Sequence, residues 1–308
     1  QGVTAAVIEV GLGGRLDATN VVTPLVSVIT SLSYDHTQLL GDTLAKIAYE
    51  KAGIIKAGIP VVVHPQEAEA QQVLEQVTRE RDCQLIRIGQ DILVEACQHT
   101  LEGQTIQVWS KSEQDQPAHP IPLVIPLLGQ HQVFNAATAY GALVTAAQAG
   151  LPISEEAIRV GFARVQWPAR FEVIQRHPPV VLDCAHNRDS ALKLRLTLDD
   201  YFPDWPVILL FGASEDKDIA GMFAELLPRT RELIAVKSFH PRAIDPDTLQ
   251  ELAKPYQVPV QIIPEIVDAF NEAQKRAGSE ALILVTGSIF VAAAVRIAWH
   301  KQQAELEE

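Results

Sequence analysis

The first chemically loaded stretch is VIEVGLGGRLDATN, Val7 to Asn20, where Glu9 closes an apolar run and leads into Gly11, Gly13 and Gly14, then Arg15, Asp17 and Asn20. The run VTAAVIEVG reads as a buried strand, and a carboxylate in such a strand needs a partner. Two partners fit Glu9: Arg15, as a satisfied core pair, or a divalent cation. A second strand-like run, PLVSVITSLSYDH, ends in Asp35 and His36 at what should be the same sheet edge. Carboxylate with neutral imidazole suits Mg²⁺ bound alongside phosphates, because that ion takes few protein ligands and leaves positions to water and substrate. Taken together, Glu9 and His36 favour the cation; alone, His36 would read as a structural histidine. Lys51, in YEKAGIIKAGIP, lies late in a helical pattern. There it either complements the helix C-terminus or turns its amine toward the edge carrying Glu9 and His36.

A second cluster follows another strand. In VVLDCAHN, Asp183, His186 and Asn187 stand just past an apolar run. An aspartate at that place can accept from a ribose hydroxyl, and a histidine beside a helix N-terminus can hold phosphate. An Asx turn with a helix cap explains the same residues without a ligand. SEDKD, Ser214 to Asp218, is a further strand-end turn and is weak by itself. No GxxxxGK[ST] loop occurs, and GLGGRLDATN is not GxGxxG.

The elements that must position these groups come in two sets. The first half alternates VTAAVIEV, PLVSVITSL, DTLAKIAYEKAGII, IPVVVH, AEAQQVLEQVTRERD and CQLIRIG, which indicates βαβ units around a mostly parallel sheet. ILVEACQHTLEGQTIQVWS then alternates like a hairpin, and KSEQDQPAHPIP reads as a loop. A long Ala-rich helix is expected between Gly129 and Gly150, and another over SEEAIRVGFARV with Ser154 as its N-cap. After VQWPARFEVIQRHPP, a proline-flanked stretch that reads as a hinge, four apolar runs each precede a helical pattern, with strand ends near Asp183, Ser214, Ser238 and Ser288. The reading is α/β throughout, with one domain over residues 1–168 and a second, smaller one over 169–308.

The bulk numbers agree with two cores. The chain has 308 residues, 47% hydrophobic and 20% charged. Lys and Arg total 25 against 38 Asp and Glu, a formal charge of −13, which argues against nucleic acid or an anionic membrane as the main partner. The three cysteines show no zinc or disulfide spacing, so a reducing, cytoplasmic setting is expected. No apolar run reaches the ~18 residues of a membrane span. The chain opens at Gln1, two residues before an apolar run, and its single methionine is Met222, so a natural start upstream is expected.

In order along the chain, EVGLGGRLDATN, SYDHTQLLGDTLAKIAYEKAGIIK, LGQHQVFNAATAYGAL, WPARFEV, LDCAHN, FGASEDKD and TGSIF resemble the folylpolyglutamate synthase and dihydrofolate synthase family, a branch of the ATP-dependent Mur ligases. The resemblance covers essentially the whole chain. It implies a Mur-ligase-like central nucleotide-binding domain, incomplete at its N-terminus, followed by a smaller Rossmann-like C-terminal domain. It also implies that the family's GTxGKGS-type phosphate loop and pterin-binding loop lie outside this chain, which as a fragment should be inactive. The implied activity is ATP-dependent addition of L-glutamate to folate, to dihydropteroate, or to both, through an acyl phosphate. A Mur-type ligase acting on a UDP-sugar peptide, and a non-catalytic truncated homologue, are the alternatives.

Residue by residue, the resemblance makes Glu9 a Mg²⁺ ligand and His36 the holder of a second Mg²⁺ near the γ-phosphate. Lys51 matches a lysine that the family commonly carbamylates. Asn135, Arg170 and Asp183 match residues that contact ATP, with His186 near its phosphates; Lys51 and His186 are thus the residues implied at the chemistry. Leu16, Asp17 and Ala18 correspond to a loop that contacts the pterin, and the family resemblance implies a monomer. Where the family has glycine this chain has Ala169 and Cys184, side chains that restrict positive φ and close approach.

Overall fold

The computed structural model describes residues 3–111 and 120–307, and the chain forms two compact units, residues 1–126 with 130–165, and residues 127–129 with 166–308. In the first unit, β1 (Ser27–Ile29) leads through α1 (Thr37–Leu40) into α2 (Leu44–Ala52), β2 (Val61–Val63), α3 (Ala68–Glu80) and β3 (Leu85–Arg87). The three strands are parallel in the order β1-β2-β3. Thr43 caps α2 by accepting from the Lys46 N–H at 3.2 Å, and Leu44, Ile47, Ala48 and Ala52 put one helical face into the core.

The expected hairpin is present as β4 (Ile92–Thr100) and β5 (Gly103–Ser110), and β6 (Ile121–Ile125), whose first two residues end the stretch expected as a loop, adds a third antiparallel strand. Residues 112–119 of that loop lie outside the described residues. The helix expected between Gly129 and Gly150 is α4 (Gln130–Gln148). Next comes α5 (Glu155–Ala163), and Ser154 caps it through the Ala157 N–H at 3.1 Å. Val62, Ile106, Ala137, Tyr140 and Phe162 bury together, so both sheets of this unit share one core with α4 and α5.

One strand expectation fails. Residues 3–10 form no strand, and Val3, Val7 and Ile8 are exposed. Apolar sequence makes a strand only when a neighbour takes its N–H and C=O groups, and among the described residues no strand pairs with this run.

The second unit runs β7 (Glu172–Arg176), β8 (Pro179–Leu182), α6 (Arg188–Tyr201), β9 (Val207–Phe211), α7 (Ile219–Leu226), β10 (Thr230–Ala235), α8 (Pro246–Ala253), β11 (Val260–Ile262), α9 (Ile266–Ala277), β12 (Leu282–Thr286) and α10 (Ile289–Glu307). The sheet order is β11-β10-β9-β12-β8-β7, parallel except for β7 against β8. The four expected strands are its four central ones. Within the stretch read as a hinge, EVIQR is the antiparallel edge strand β7; none of its residues is fully buried, and its alternation of polar and apolar residues does not make an apolar run.

On the face covered by α9 and α10, Val180, Leu182, Ile208, Leu210, Ile234, Ile283 and Val285 pack against Ala269, Phe270, Val291 and Val295. The intervening Val181, Leu209, Leu233 and Leu284 are buried as well, so the sheet is covered on both sides. The chain moves outward from β8 through β9 and β10 to β11 and returns to place β12 between β8 and β9. The loop leaving β12 enters α10, one of the two helices on the α9/α10 face, so β12 stands at a topological switch, where open α/β sheets form their ligand crevices.

Candidate active site

In the second unit the structure brings Arg170, Asp183 and His186 together at the carboxyl edge of the sheet. Asp183 directly follows β8 and is buried; its Oδ2 accepts from the Phe171 N–H at 2.8 Å and its Oδ1 from the Ala185 N–H at 2.7 Å. Burial pushes this carboxyl above the ordinary aspartate range, while the two N–H donors, the Arg170 guanidinium and His186 pull it down. A carboxylate has roughly four lone-pair sites, so two bound N–H groups leave capacity for a hydroxyl donor.

Arg170 sits in an unusual turn. Its neighbours Ala169 and Phe171 have φ of 55° and 47°, a region that costs a residue with a Cβ about 1–2 kcal/mol. The turn is held by its surroundings: the Ala169 N–H donates to Glu172 Oε2 at 2.8 Å, the Cys184 N–H to the Ala169 carbonyl at 3.0 Å, and the Phe171 N–H to Asp183. Glu172 is in turn held by Arg296 at 2.9 Å. Ala169 therefore adopts the positive φ that a glycine would take freely, whereas Cys184 is not among the positive-φ residues. Burial pushes the Cys184 thiol up.

His186 places Nδ1 at 3.1 Å from the Cys184 carbonyl; a carbonyl only accepts, so Nδ1 carries the proton and Nε2 is the lone-pair atom of the neutral ring. Asn187 is the N-cap of α6, in a reciprocal box with Ser190. The Asx-cap reading thus accounts for the Ser190 N–H bond of Asn187 and for the Ala185 N–H bond of Asp183.

In the first unit the Gly-rich stretch is a loop packed on α2. Asp17 Oδ2 accepts from the Leu12 N–H at 2.9 Å, and its Oδ1 from the Thr19 N–H at 2.9 Å and hydroxyl at 2.6 Å. These donors hold its carboxyl down at about 2. Leu16, beside it, is exposed, and Ala18 begins a short 3₁₀ turn that Asp17 caps. Arg15 does not pair with Glu9. It donates from Nε and Nη2 to Glu50, the closest contact being 2.9 Å, and its backbone N–H donates to the Glu50 carbonyl at 2.8 Å. The sequence reading missed Glu50 and Lys56, whose ammonium donates to the Asn20 carbonyl at 2.8 Å; both flank Lys51 in the same helix and turn, which was the available signal.

Lys51 is half-buried in the last turn of α2. Burial lowers its amine below the usual lysine range against the opposing field of Asp35, so Lys51 lies within reach of the Asp35–His36 corner. His36 has φ 50° and precedes α1, with Asp35 accepting its backbone N–H at 2.9 Å. Glu9 lies in the exposed segment before the loop. Among the described residues no three His, Cys, Asp or Glu side chains gather as a metal cluster. Asn135 is exposed on α4 and donates to Gln132 at 3.0 Å.

Residues 1–143 match the Mur ligase middle domain and residues 169–289 match the Mur ligase glutamate ligase domain. The chain is 34% identical over 294 residues to the dihydrofolate synthase/folylpolyglutamate synthase of Bacillus subtilis, covering 94% of this chain and 66% of that protein. It is 36% identical over 300 residues to the folylpolyglutamate synthase of Lacticaseibacillus casei, covering 96% and 66%. Among solved structures, E. coli FolC in complex with DHPP and ADP superposes with a TM-score of 0.82 at 31% identity, over 96% of this chain and 66% of that one. The Mycobacterium tuberculosis folylpolyglutamate synthase complexed with ADP gives 0.81 at 31%, over 94% and 66%. The chain thus spans 66% of the length of these relatives.

Proposed function

We propose that this chain, which belongs to the folylpolyglutamate and dihydrofolate synthase branch of the Mur ligase family, carries the nucleotide- and glutamate-handling parts of a cytoplasmic, monomeric ATP-dependent ligase. The ligase joins L-glutamate to folate, to dihydropteroate, or to both. The observation that carries this reading is the gathering of Arg170, Asp183 and His186 at one sheet edge, in a chain that matches both the middle and the glutamate ligase domains.

In the proposed reaction a carboxylate oxygen of the acceptor attacks the γ-phosphorus of ATP and ADP leaves. The glutamate amine then attacks the acyl carbon, phosphate leaves with the carboxyl oxygen, and the nitrogen loses a proton. Phosphoryl transfer depends on positioning and charge neutralisation. Asp183 has lone pairs to accept ribose hydroxyls. Arg170 supplies a guanidinium for phosphate, and the His186 ring, when protonated, can donate from Nε2 to a phosphate oxygen. Asn135, on α4, is a further proposed contact to ATP. The Asp17 loop presents Leu16, Asp17 and Ala18 to the pterin.

The donors Glu9 and His36 fit Mg²⁺ in type, since that ion takes few protein ligands beside phosphate and water oxygens. When bound, Mg²⁺ neutralises phosphate charge. Lys51 fits carbamylation by its lowered amine: the neutral amine adds to CO₂, losing a proton, and the product is an anion beside Asp35 and His36.

The test supplies the protein, in its native termini, with ATP, Mg²⁺ and labelled L-glutamate and offers each acceptor in turn. Label is expected in folate or dihydropteroate products. Label in a UDP-sugar peptide and none in either pterin would move the chain to the cell-wall branch, and no label in any acceptor would leave a non-catalytic homologue.

A further inference from the structure

The turn that carries Arg170 is fastened on two sides, and one fastening comes from α10, far along the chain. The first side is the end of β8: the Ala169 carbonyl accepts the Cys184 N–H at 3.0 Å, and the Phe171 N–H donates to Asp183 Oδ2 at 2.8 Å. The second side is Glu172. Its carboxylate reaches back to accept the Ala169 N–H at 2.8 Å, closing residues 169–172 into a ring that contains Arg170. The same carboxylate takes Nε of Arg296 on both oxygens, at 2.9 and 3.1 Å.

The helix braces β7 at a second point. Trp299, three residues further along α10, donates from Nε1 to Gln175 Oε1 at 3.4 Å, and Gln175 Nε2 donates to the Pro178 carbonyl at 3.0 Å. Ala169 itself buries in one cluster with Val291, Ala292 and Val295 of α10. Positive φ at both Ala169 and Phe171, 55° and 47°, persists only where the surroundings over-determine it, and α10 supplies part of that constraint. As a source of stability the Glu172–Arg296 pair is weak: the side chains are 24% and 35% exposed, and a partly exposed ion pair contributes little by itself. What the pair fixes is the backbone direction at Arg170. A long side chain converts a small rotation of its turn into a larger displacement of its head group, and a misplacement of ~1 Å can cost on the order of 10²-fold in the effect of a positioned group.

We propose that Glu172 and Arg296 are positioning residues for nucleotide binding, holding the turn so that the Arg170 guanidinium meets the phosphates. They touch no ligand and act through Arg170 alone. This rests on the reading above in one respect, that Arg170 is a contact of ATP.

The test is a double-mutant cycle on the affinity of the protein, in its native termini, for ATP with Mg²⁺, measured by calorimetric titration. Arg170→Ala should weaken binding. Glu172→Ala should weaken it about tenfold or more when Arg170 is present and by less than about twofold in the Arg170→Ala protein. Arg296→Met leaves the Ala169 N–H bonded to Glu172, so its effect should be smaller with the same dependence on Arg170, and Arg296→Lys should recover part of the loss; this arm decides the matter should Glu172→Ala fail to fold. The positioning role is overturned by equal loss in both backgrounds, which a general loss of stability would give, by no loss in either, by Arg170→Ala binding ATP like the wild type, or by no ATP binding in the wild type. Incorporation of labelled glutamate remains a separate measurement. Coupling to Arg170 without labelled amide would keep the positioning pair and end the ligase reading, and labelled amide without coupling would do the reverse.

Discussion

Replacing Gly53 with alanine tests how the candidate pterin loop is held. Gly53 has φ −56° and ψ −23°, a helical conformation, so alanine carries no backbone penalty there. On conformational grounds alone it should stabilise by about 0.4–1 kcal/mol through the unfolded chain. The contact geometry predicts the reverse. A Cβ at Gly53 would lie 2.3 Å from Arg15 Cα and Cβ and 2.7 Å from Arg15 N, so backbone must move. Overpacking of this kind costs about 1–3 kcal/mol. The loop can escape by leaving α2, giving up the Arg15 N–H to Glu50 carbonyl bond at 2.8 Å and the Asn20 amide to Gly53 carbonyl bond at 3.3 Å. Each such bond is worth about 0.5–1.5 kcal/mol, so release costs about the same as the clash. Gly161, inside α5 with open space around it, is the control. Urea denaturation should show Gly161→Ala more stable by up to about 1 kcal/mol and Gly53→Ala less stable by about 1–3 kcal/mol, with faster exchange of the Arg15 amide. A Gly53→Ala protein as stable as its Gly161→Ala counterpart, with Arg15 still protected, would refute the packing argument.

Other expectations follow from single groups. The Asp17 carboxyl is held at about 2, so its contribution to loop order is present above the ordinary aspartate value and is lost as pH falls through about 2; the Thr19 amide should stay protected at pH near 4 and lose protection on further acidification. Lys51 has a lowered amine value, so the folded protein binds fewer protons there than the unfolded chain; stability should rise with pH through the interval below 10.5, an effect that Lys51→Met removes. Asp183→Asn keeps one acceptor but turns an amide donor toward a backbone N–H, so it should cost about 1–3 kcal/mol in urea denaturation and abolish stabilisation by nucleotide, which for a bound ligand at a hundredfold its Kd is roughly 2.7 kcal/mol. At Ala169, valine should destabilise and displace Arg170, because a β-branched side chain tolerates φ near 55° poorly.

Much of the second unit was legible because its signals are local. Four apolar runs became the four central strands, and the polar residues ending them share one edge because parallel strands all end on the same side. Arg170, Asp183 and His186 lie within seventeen consecutive residues, 170 to 186, and two strands with their flanking turns bring them together. The first unit was harder to read for the opposite reason. Whether Val3–Val10 is a strand depends on a neighbour, not on its own composition, and the pairing of Arg15 with Glu50 spans 35 residues. Edge strand β7, half polar and between prolines, carries a pattern that a connecting segment shares.

The central claim, an acyl phosphate made from ATP at this site, is most directly tested by following oxygen. With heavy oxygen in the acceptor carboxylate and ordinary ATP, L-glutamate and Mg²⁺, the account predicts that the released phosphate carries one heavy atom for each amide formed. Amide formation with unlabelled phosphate would contradict it, because the carboxyl oxygen would then have left by another route.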